Sequence, residues 1–261
     1  MLMELEVLNL GHVQLVDILG SDLTVCNAAK VSYNNSTEFV SDDKASDFWE
    51  RIEEAIDTGG TVVDKKYTEK YVEYFKAGGR LKPKDFKLLN FLAENNHWTP
   101  FGQPQLQFRL KMPIAIARQL MRSNVGIVYN EKSGRYCDIS DNENYLPDNW
   151  RMQAATNRQA SCDTHVEDTH GRLHTAVEEH FDNGQRLYSR LLAEGVSKEQ
   201  ARFVLPVAGF TEIYTTMSLA ALCRIINLRD KPDAQFEIQQ YAKAMRALAL
   251  PFFPASIGAL T

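Results

Sequence analysis

The sequence predicts an α/β protein: a modest sheet flanked by helices, with a C-terminal helical part. Three observations predict it. Residues 3–18 and 22–34 carry short apolar runs broken by Gly11, Gly20 and Ser21, the pattern of strands joined by turns. Leu106-Gln107-Phe108-Arg109-Leu110 alternates apolar and polar, the period of a half-buried strand. Much of the remaining chain repeats its apolar residues at helical spacing, and the last such run reaches Leu250.

The elements follow in order. Residues 42–58 and 64–77 are charged and amphipathic and read as helices. From Lys84 to Asn95, Phe86, Leu89, Leu92 and Ala93 share one helical face, and His97-Trp98-Thr99-Pro100-Phe101 breaks the pattern. Pro113, at a first helical position, opens an Ala-rich apolar helix that carries Arg118 and Arg122 on one face. A short break leads to Ser133-Gly134-Arg135. Residues 138–172 are polar and rich in Asn and Asp, and read as a long surface excursion. Val177, Phe181, Tyr188 and Leu191 mark a helix ending near Gly195. Ser197-Lys198-Glu199-Gln200 fits a capping box that opens a helix over Ala201-Arg202-Phe203-Val204-Leu205-Pro206. Thr211 to Leu228 reads as a long helix closed by Arg229, and Pro232 starts another, Ala234 to Leu250. No internal repeat interrupts residues 1–261, which read as one domain.

Composition narrows the class. The chain has 261 residues, 44% hydrophobic and 24% charged, with a net charge of −5. That is enough for a sizeable core. The negative net charge and the lack of any block of like charges argue against sequence-independent nucleic-acid binding, which needs a basic face. No apolar run approaches membrane-spanning length, and the N-terminus lacks the layout of a signal peptide. Cys26, Cys137, Cys162 and Cys223 are widely spaced, with no C-x-x-C. A reduced, cytoplasmic protein is the expectation.

The chemistry-bearing residues are mostly arginines. Arg118, Arg122, Arg135, Arg202 and Arg229 lie at the edges of apolar helical runs. For any one of them a surface ion pair is the plain explanation, and Arg118 is expected to orient its helix rather than touch ligand. Five in an acidic chain, beside a hydroxyl at Ser133 and a glycine that admits backbone N–H groups, point to an anion such as a phosphate monoester. Cys162, His165, His170 and His174 share one stretch, with His170 and His174 on one face if that part is helical, but their spacing matches no zinc pattern, and no metal site is expected.

These segments resemble flavin-dependent thymidylate synthases. Their signature reads Arg-Gln, two residues, Arg-His-Arg, seven residues, Ser-x-Arg. This chain keeps Arg118-Gln119, Arg122, Glu131 and Ser133-Gly134-Arg135. Further blocks match in family order. Lys30-Val31-Ser32 resembles Arg-x-Ser, and His97-Trp98-Thr99-Pro100-Phe101 resembles His-x-Thr-Pro-Phe. Ala201-Arg202 to Leu205-Pro206 and the run from Ala234 to Ala242 also match. The departures are specific. Ser123 and Asn124 replace the His and second Arg, the spacer to Ser133 is eight residues, and Gly102-Gln103 replaces Glu-His. Ser218-Leu219-Ala220 stands where the family has Asn-x-Arg, and Arg224 where it has a further Asn.

The resemblance implies the family's fold, with a mixed or antiparallel sheet, and a homotetramer with shared active sites. It implies one-carbon transfer to C5 of dUMP from 5,10-methylenetetrahydrofolate. Gln119, Glu131, Ser133, Gly134, Arg135, Arg202 and Arg229 would bind the nucleotide, Arg202 from a neighbouring subunit. Arg229, Arg122 and His97 would serve catalysis; His97 is alternatively only an anchor of its loop. Ser32, His97, Thr99, Arg122, Ser123, Asn124 and Arg224 would face cofactor. Each lost charge-assisted contact is worth about 1.5–3 kcal/mol, so the FAD site is weakened or lost, and NADPH is needed only if flavin is used. Three readings stay open: a synthase that grips flavin differently, a flavin-independent dUMP or dCMP 5-hydroxymethylase, and a non-catalytic dUMP binder. The second would need C5 activation by a thiolate such as Cys137, next but one to Arg135; the plain reading of Cys137 is an inert small side chain after the motif.

Overall fold

The computed structural model describes residues 3–58, 63–156 and 161–261. In chain order the elements are β1 (Met3–Val7), β2 (Gly11–Leu19), α1 (Asp22–Lys30), α2 (Asp42–Asp57), α3 (Thr68–Lys76), α4 (Pro83–Glu94), β3 (Gln105–Pro113), α5 (Ile114–Met121), β4 (Ile127–Glu131), β5 (Arg151–Gln153) and β6 (Ser161–His165). There follow α6 (Arg172–Ala193), α7 (Lys198–Ala201), β7 (Phe210–Ser218), α8 (Leu219–Arg229), α9 (Phe236–Ala249) and α10 (Pro254–Leu260). The fold is the expected mixture of sheet and helices with a helical C-terminal part. The chain divides into two compact units. One comprises Gln107–Thr216 and Ile225–Leu248 with the N-terminal segment to Val16; the other comprises Asp17–Leu106, Met217–Arg224 and Ala249–Thr261.

The first unit is built on a five-stranded sheet of order β1-β2-β3-β7-β4. β1 and β2 pair antiparallel, from Met3 opposite Leu15 to Val7 opposite Gly11. Leu8 and Asn9 make the turn at positive φ. Phe108, Leu110 and Met112 of β3 are fully buried, as alternation predicts. α9 packs on this sheet. Its Tyr241 hydroxyl donates to the Lys111 carbonyl at 2.7 Å. A Cβ on Gly11 would lie 2.2 Å from that hydroxyl and 2.7 Å from the carbonyl, so only glycine fits where helix and strands meet.

Several expectations are corrected. Residues 22–34, expected as strand, form α1 and a 3-10 turn over Val31–Tyr33. Ser21 and Thr24 make a reciprocal capping box that starts the helix. Thr211 to Leu228, expected as one helix, is β7 followed by α8. Ile213, Thr215 and Met217 are buried in alternation, a period-two face disguised by threonines on both sides. The break after Arg122 contains β4, which joins the sheet edge. Pro113 ends β3 and is the N-cap of α5 rather than its first helical residue. Ser197 caps α7 without a side-chain hydrogen bond, and the helix tightens to 3-10 over Arg202–Val204. The excursion is not wholly loop. β5 and β6 pair antiparallel with a register shift, while residues 157–160 of that stretch lie outside the described residues.

The second unit packs α1, α4 and α10 together around Val25, Phe86, Leu89 and Ile257. Asp22, 1% exposed, accepts hydrogen bonds from the Ala255 and Ser256 N–H groups at 2.8 and 2.9 Å and caps α10. Burial pushes its carboxyl up to about 6, against the hydrogen bonds from Ser256 and Ala255. Asp85, also fully buried, pairs with Lys30 and accepts from Thr37 Oγ1 at 2.7 Å. Lys30 is thereby committed to the interior, although it sits in a motif position.

Candidate functional site

A cleft of about 540 Å³ opens in the first unit. One wall is a face of α5, where Ile114, Ala117, Arg118 and Met121 recur at helical spacing. The opposite wall is the turn after β4, Glu131 to Gly134. The 3-10 turn brings Arg202 and Phe203, and the excursion brings Ile139, Asn142 and Asn144. So Arg118, Glu131, Ser133, Gly134 and Arg202, far apart in sequence, meet at one place.

Main-chain and amide hydrogen bonds hold this arrangement. Asn142 donates to the Phe210 carbonyl at 3.1 Å and accepts from Lys132 Nζ at 3.2 Å, and its own carbonyl accepts from Gln185. Phe210 N–H donates to Glu143 at 2.9 Å and Tyr145 N–H to Ala208 at 2.9 Å. The polar excursion therefore forms part of the cleft wall. Ser133 shapes the motif turn: its hydroxyl accepts from Arg135 N–H at 3.3 Å and its carbonyl from Tyr136 and Cys137 N–H, each at 3.1 Å. Gly134 is buried, and a Cβ there would stand 2.8 Å from the Ile139 methyl and 3.6 Å from Arg202 Cδ. Glycine lets the turn close on the arginine stem.

The other predicted nucleotide residues lie elsewhere. Arg135 points outward, with Glu199 3.6 Å away, and Cys137 is exposed; neither lines the cleft. Gln119 is separated from the Arg118 face by the turn of α5, and it too is absent from the cleft lining. It belongs to a second polar group. Arg229, the last residue of α8, donates through Nη2 to the Gln119 carbonyl at 3.0 Å, while its Nε is buried with no hydrogen-bond partner among the described residues. The Gln119 side-chain amide donates to Gln235 Oε1, and Gln235 Nε2 donates to Glu237 Oε2 at 2.9 Å. Glu237 also accepts from Arg151 Nη2 at 2.6 Å and Tyr145 hydroxyl at 3.3 Å. Arg151 lies over the Phe236 ring, 4.6 Å from its centroid. Burial pushes the Glu237 carboxyl up, but hydrogen bonds from Arg151, its own backbone and Gln235 outweigh this and hold it below the usual carboxylate range.

Arg122 is the exposed C-cap of α5. Ser123 and Asn124 follow, their carbonyls accepting from Tyr129 hydroxyl at 2.8 Å and Ile127 N–H at 3.3 Å. In the second unit, Ser32 is exposed in its 3-10 turn. His97 and Thr99 are also exposed, and the His97 ring meets Phe91 edge-on at 6.1 Å. Arg224 is half-buried on α8. Ser218 accepts from Ala221 N–H at 3.2 Å and so acts as a helix cap. His170, at φ 67° ahead of α6, does not share a helical face with His174, whose ring bonds Asp168 and Pro147.

Sequence reasoning missed Gln235, Glu237 and Arg151. The signal available was the Ala234–Ala242 block, which matched the family without a role. Asn142 and Gln185 left no signal, since lone amides in polar segments have no pattern.

An α/β chain with guanidiniums, a hydroxyl and a closed glycine turn around one cleft is a protein suited to a small phosphorylated ligand. Residues 14–255 match the family described as thymidylate synthase complementing protein. The chain belongs to that family. It is 32% identical over 243 residues to the flavin-dependent thymidylate synthase of Kosmotoga olearia, covering 93% of this chain and 86% of that one. It is 32% identical over 241 residues to a flavin-dependent thymidylate synthase of Thermus thermophilus, covering 92% and 72%. In fold it resembles a UMP/dUMP methylase, PolB, from Streptomyces cacaoi bound with 5-Br UMP. The TM-score is 0.70 at 24% identity, covering 95% of this chain and 93% of the other.

Proposed function

We propose that this chain is a one-carbon transferase acting at C5 of dUMP with 5,10-methylenetetrahydrofolate, in the manner of a thymidylate synthase. The observation that carries this reading is the cleft where Arg118, Glu131, Ser133, Gly134 and Arg202 converge, in a chain of this family. Arg202 and the Ser133 hydroxyl would hold the phosphate through charge-assisted bonds, and Arg135 would exchange Glu199 for it. Glu131, acceptor-only when ionised, suits a sugar hydroxyl. Arg229 is a pure donor, which suits the carbonyls of uracil and not the exocyclic amine of cytosine. Its catalytic role would be to stabilise charge developing on a ring carbonyl as C5 becomes nucleophilic. The cleft set and the Gln119–Arg229 set lie at different places around α5. That separation supports sites shared between copies in a homotetramer, as do Phe203 at 79% exposure and Val207 at 50% beside the cleft.

A flavin, when bound, supplies the reducing equivalents that complete the methyl group, with NADPH as their source. Arg122, Ser123 and Asn124 offer it one guanidinium and two hydrogen-bonding side chains. Ser32, His97, Thr99 and Arg224 are the other residues assigned to cofactor. Arg122, Ser123 and Asn124 alone would hold a flavin by fewer cations than the resembled signature provides; Arg122 and His97 are also assigned to catalysis. The relatives, named as flavin-dependent thymidylate synthases, favour methyl transfer over 5-hydroxymethylation and over dUMP binding without turnover. No described helix is long and apolar enough to cross a membrane. A cytoplasmic location and one family domain over residues 1–261 complete the reading; the match over residues 14–255 supports the latter.

The test is tritium release from 5-tritiated dUMP with methylenetetrahydrofolate, NADPH and added FAD, with the product identified by mass spectrometry. The expected outcome is dTMP, with activity lost on desalting and restored by FAD. A hydroxymethyl product formed without NADPH, or no release at all, would overturn the reading.

A further inference from the structure

The run from Ala234 to Ala242, which leads into α9, has no part in the cleft, yet the first turn of α9 carries a buried carboxylate that ends a chain of oriented hydrogen bonds. Glu237 is 4% exposed and accepts from three side chains: Arg151, Tyr145 and Gln235. An ionised carboxylate can only accept. Gln235 must therefore turn its NH2 toward Glu237, which leaves its oxygen facing the other way. Gln119 places its own NH2 against that oxygen. Each amide has one donating and one accepting end, so the polarity set at Glu237 passes through both glutamines. The end of Gln119 left for another partner is its carbonyl oxygen. Arg229 is fastened to the same residue through the Gln119 backbone carbonyl.

We infer that Glu237 is a positioning residue for the nucleotide: through Gln235 it fixes the Gln119 amide so that the amide oxygen accepts a hydrogen bond from a donor on the substrate. The inference rests on the proposed function, since it takes the substrate to be dUMP. Two groups on dUMP donate, the uracil N3–H and the sugar 3′-hydroxyl; the hydroxyl is given to Glu131 in the cleft, so N3–H is the donor left for Gln119. Cytosine carries no hydrogen on N3. With the amide locked, a ligand lacking the donor leaves the oxygen unsatisfied. With the amide free to turn, either end can meet the ligand and the preference disappears.

Calorimetry on the full-length protein reads this directly. The ligands are dUMP and its N3-methyl analogue, which lacks the donor, with the 3′-deoxy analogue as a control that reads the Glu131 contact instead. Gln235→Ala removes the middle of the relay at an exposed position and leaves the Arg151–Glu237 pair intact. Glu237→Gln removes the polarity itself. In the unaltered protein the analogue lacking the donor should bind about tenfold less well than dUMP, the loss of one hydrogen bond to a held acceptor. In both variants dUMP should weaken toward the analogue and the ratio should fall toward one. A purely structural role would weaken dUMP and analogue by the same factor and keep the ratio; that result in Gln235→Ala overturns the inference, whether or not Glu237→Gln folds. Unaltered protein that binds dUMP without discriminating against the N3-methyl analogue overturns it as well. Unaltered protein that binds no dUMP overturns the function and the inference together.

Discussion

Arg202 shows what one residue contributes to the cleft. Its stem packs against Gly134 and it shares the cleft with Ser133 and Arg118. Replacing it with alanine removes a charge-assisted contact to an anion, worth about 1.5–3 kcal/mol. Arg202→Ala should therefore weaken dUMP binding by more than tenfold in calorimetry, with a smaller effect for Arg135→Ala, because Arg135 stands outside the cleft lining. Equal affinity for Arg202→Ala and the unaltered protein would mean that the cleft is not the phosphate site. Arg202 and Ser133 were legible in the sequence because arginine and serine in fixed motif frames have few other uses. Glu237 was not, since its role depends on Arg151 and Tyr145, remote in the chain and unlike any motif.

Among the elements, α10 depends on a cap supplied from α1. Asp22 is buried, accepts from Ala255, Ser256 N–H and Ser256 Oγ, and its carboxyl is pushed up to about 6 from 3.8. The folded state thus binds this proton more tightly than the unfolded chain, and the contribution of Asp22 to stability falls as pH rises from about 4 to 6. The change is on the order of 3 kcal/mol at most. Thermal unfolding of the unaltered protein and of Asp22→Asn, compared at pH 5 and pH 7.5, should show the smaller loss in the variant. Identical pH dependence in both would refute the buried-cap account. Local pattern sufficed for α4 and β3, whose apolar periods are clean. It failed for α1 and β7. In α1 a capping box outweighed a short strand-like run, and in β7 threonines on both faces hid the alternation that burial reveals.

At the level of the whole molecule, the two groups of residues proposed to bind the nucleotide are placed apart. One holds Arg202 with Ser133, the other Arg229 with Gln119. If the site is completed between copies, co-expressed Arg202→Ala and Arg229→Ala chains should recover activity that neither variant shows alone. Mixed assemblies would contain some sites drawing both arginines from intact chains. Tritium release from 5-tritiated dUMP measures this, and no recovery in a confirmed mixed tetramer would mean that both groups act within one chain.

By itself the sequence determined the family, the α/β class, the helices with clean apolar periods and the identity of the motif residues. These depend on local pattern and on residue chemistry, which need no partner distant in the chain. Tertiary structure alone decided which of those residues meet. It placed Arg118 and Arg202 on one cleft and Gln119 and Arg229 in another polar group, turned Arg135 outward, and made the excursion part of the cleft wall. It also committed Lys30 to Asp85 and Ser218 to a helix end. The physical reason is that a hydrogen bond or a close approach depends on where two remote segments cross, and that is set by packing rather than by spacing along the chain.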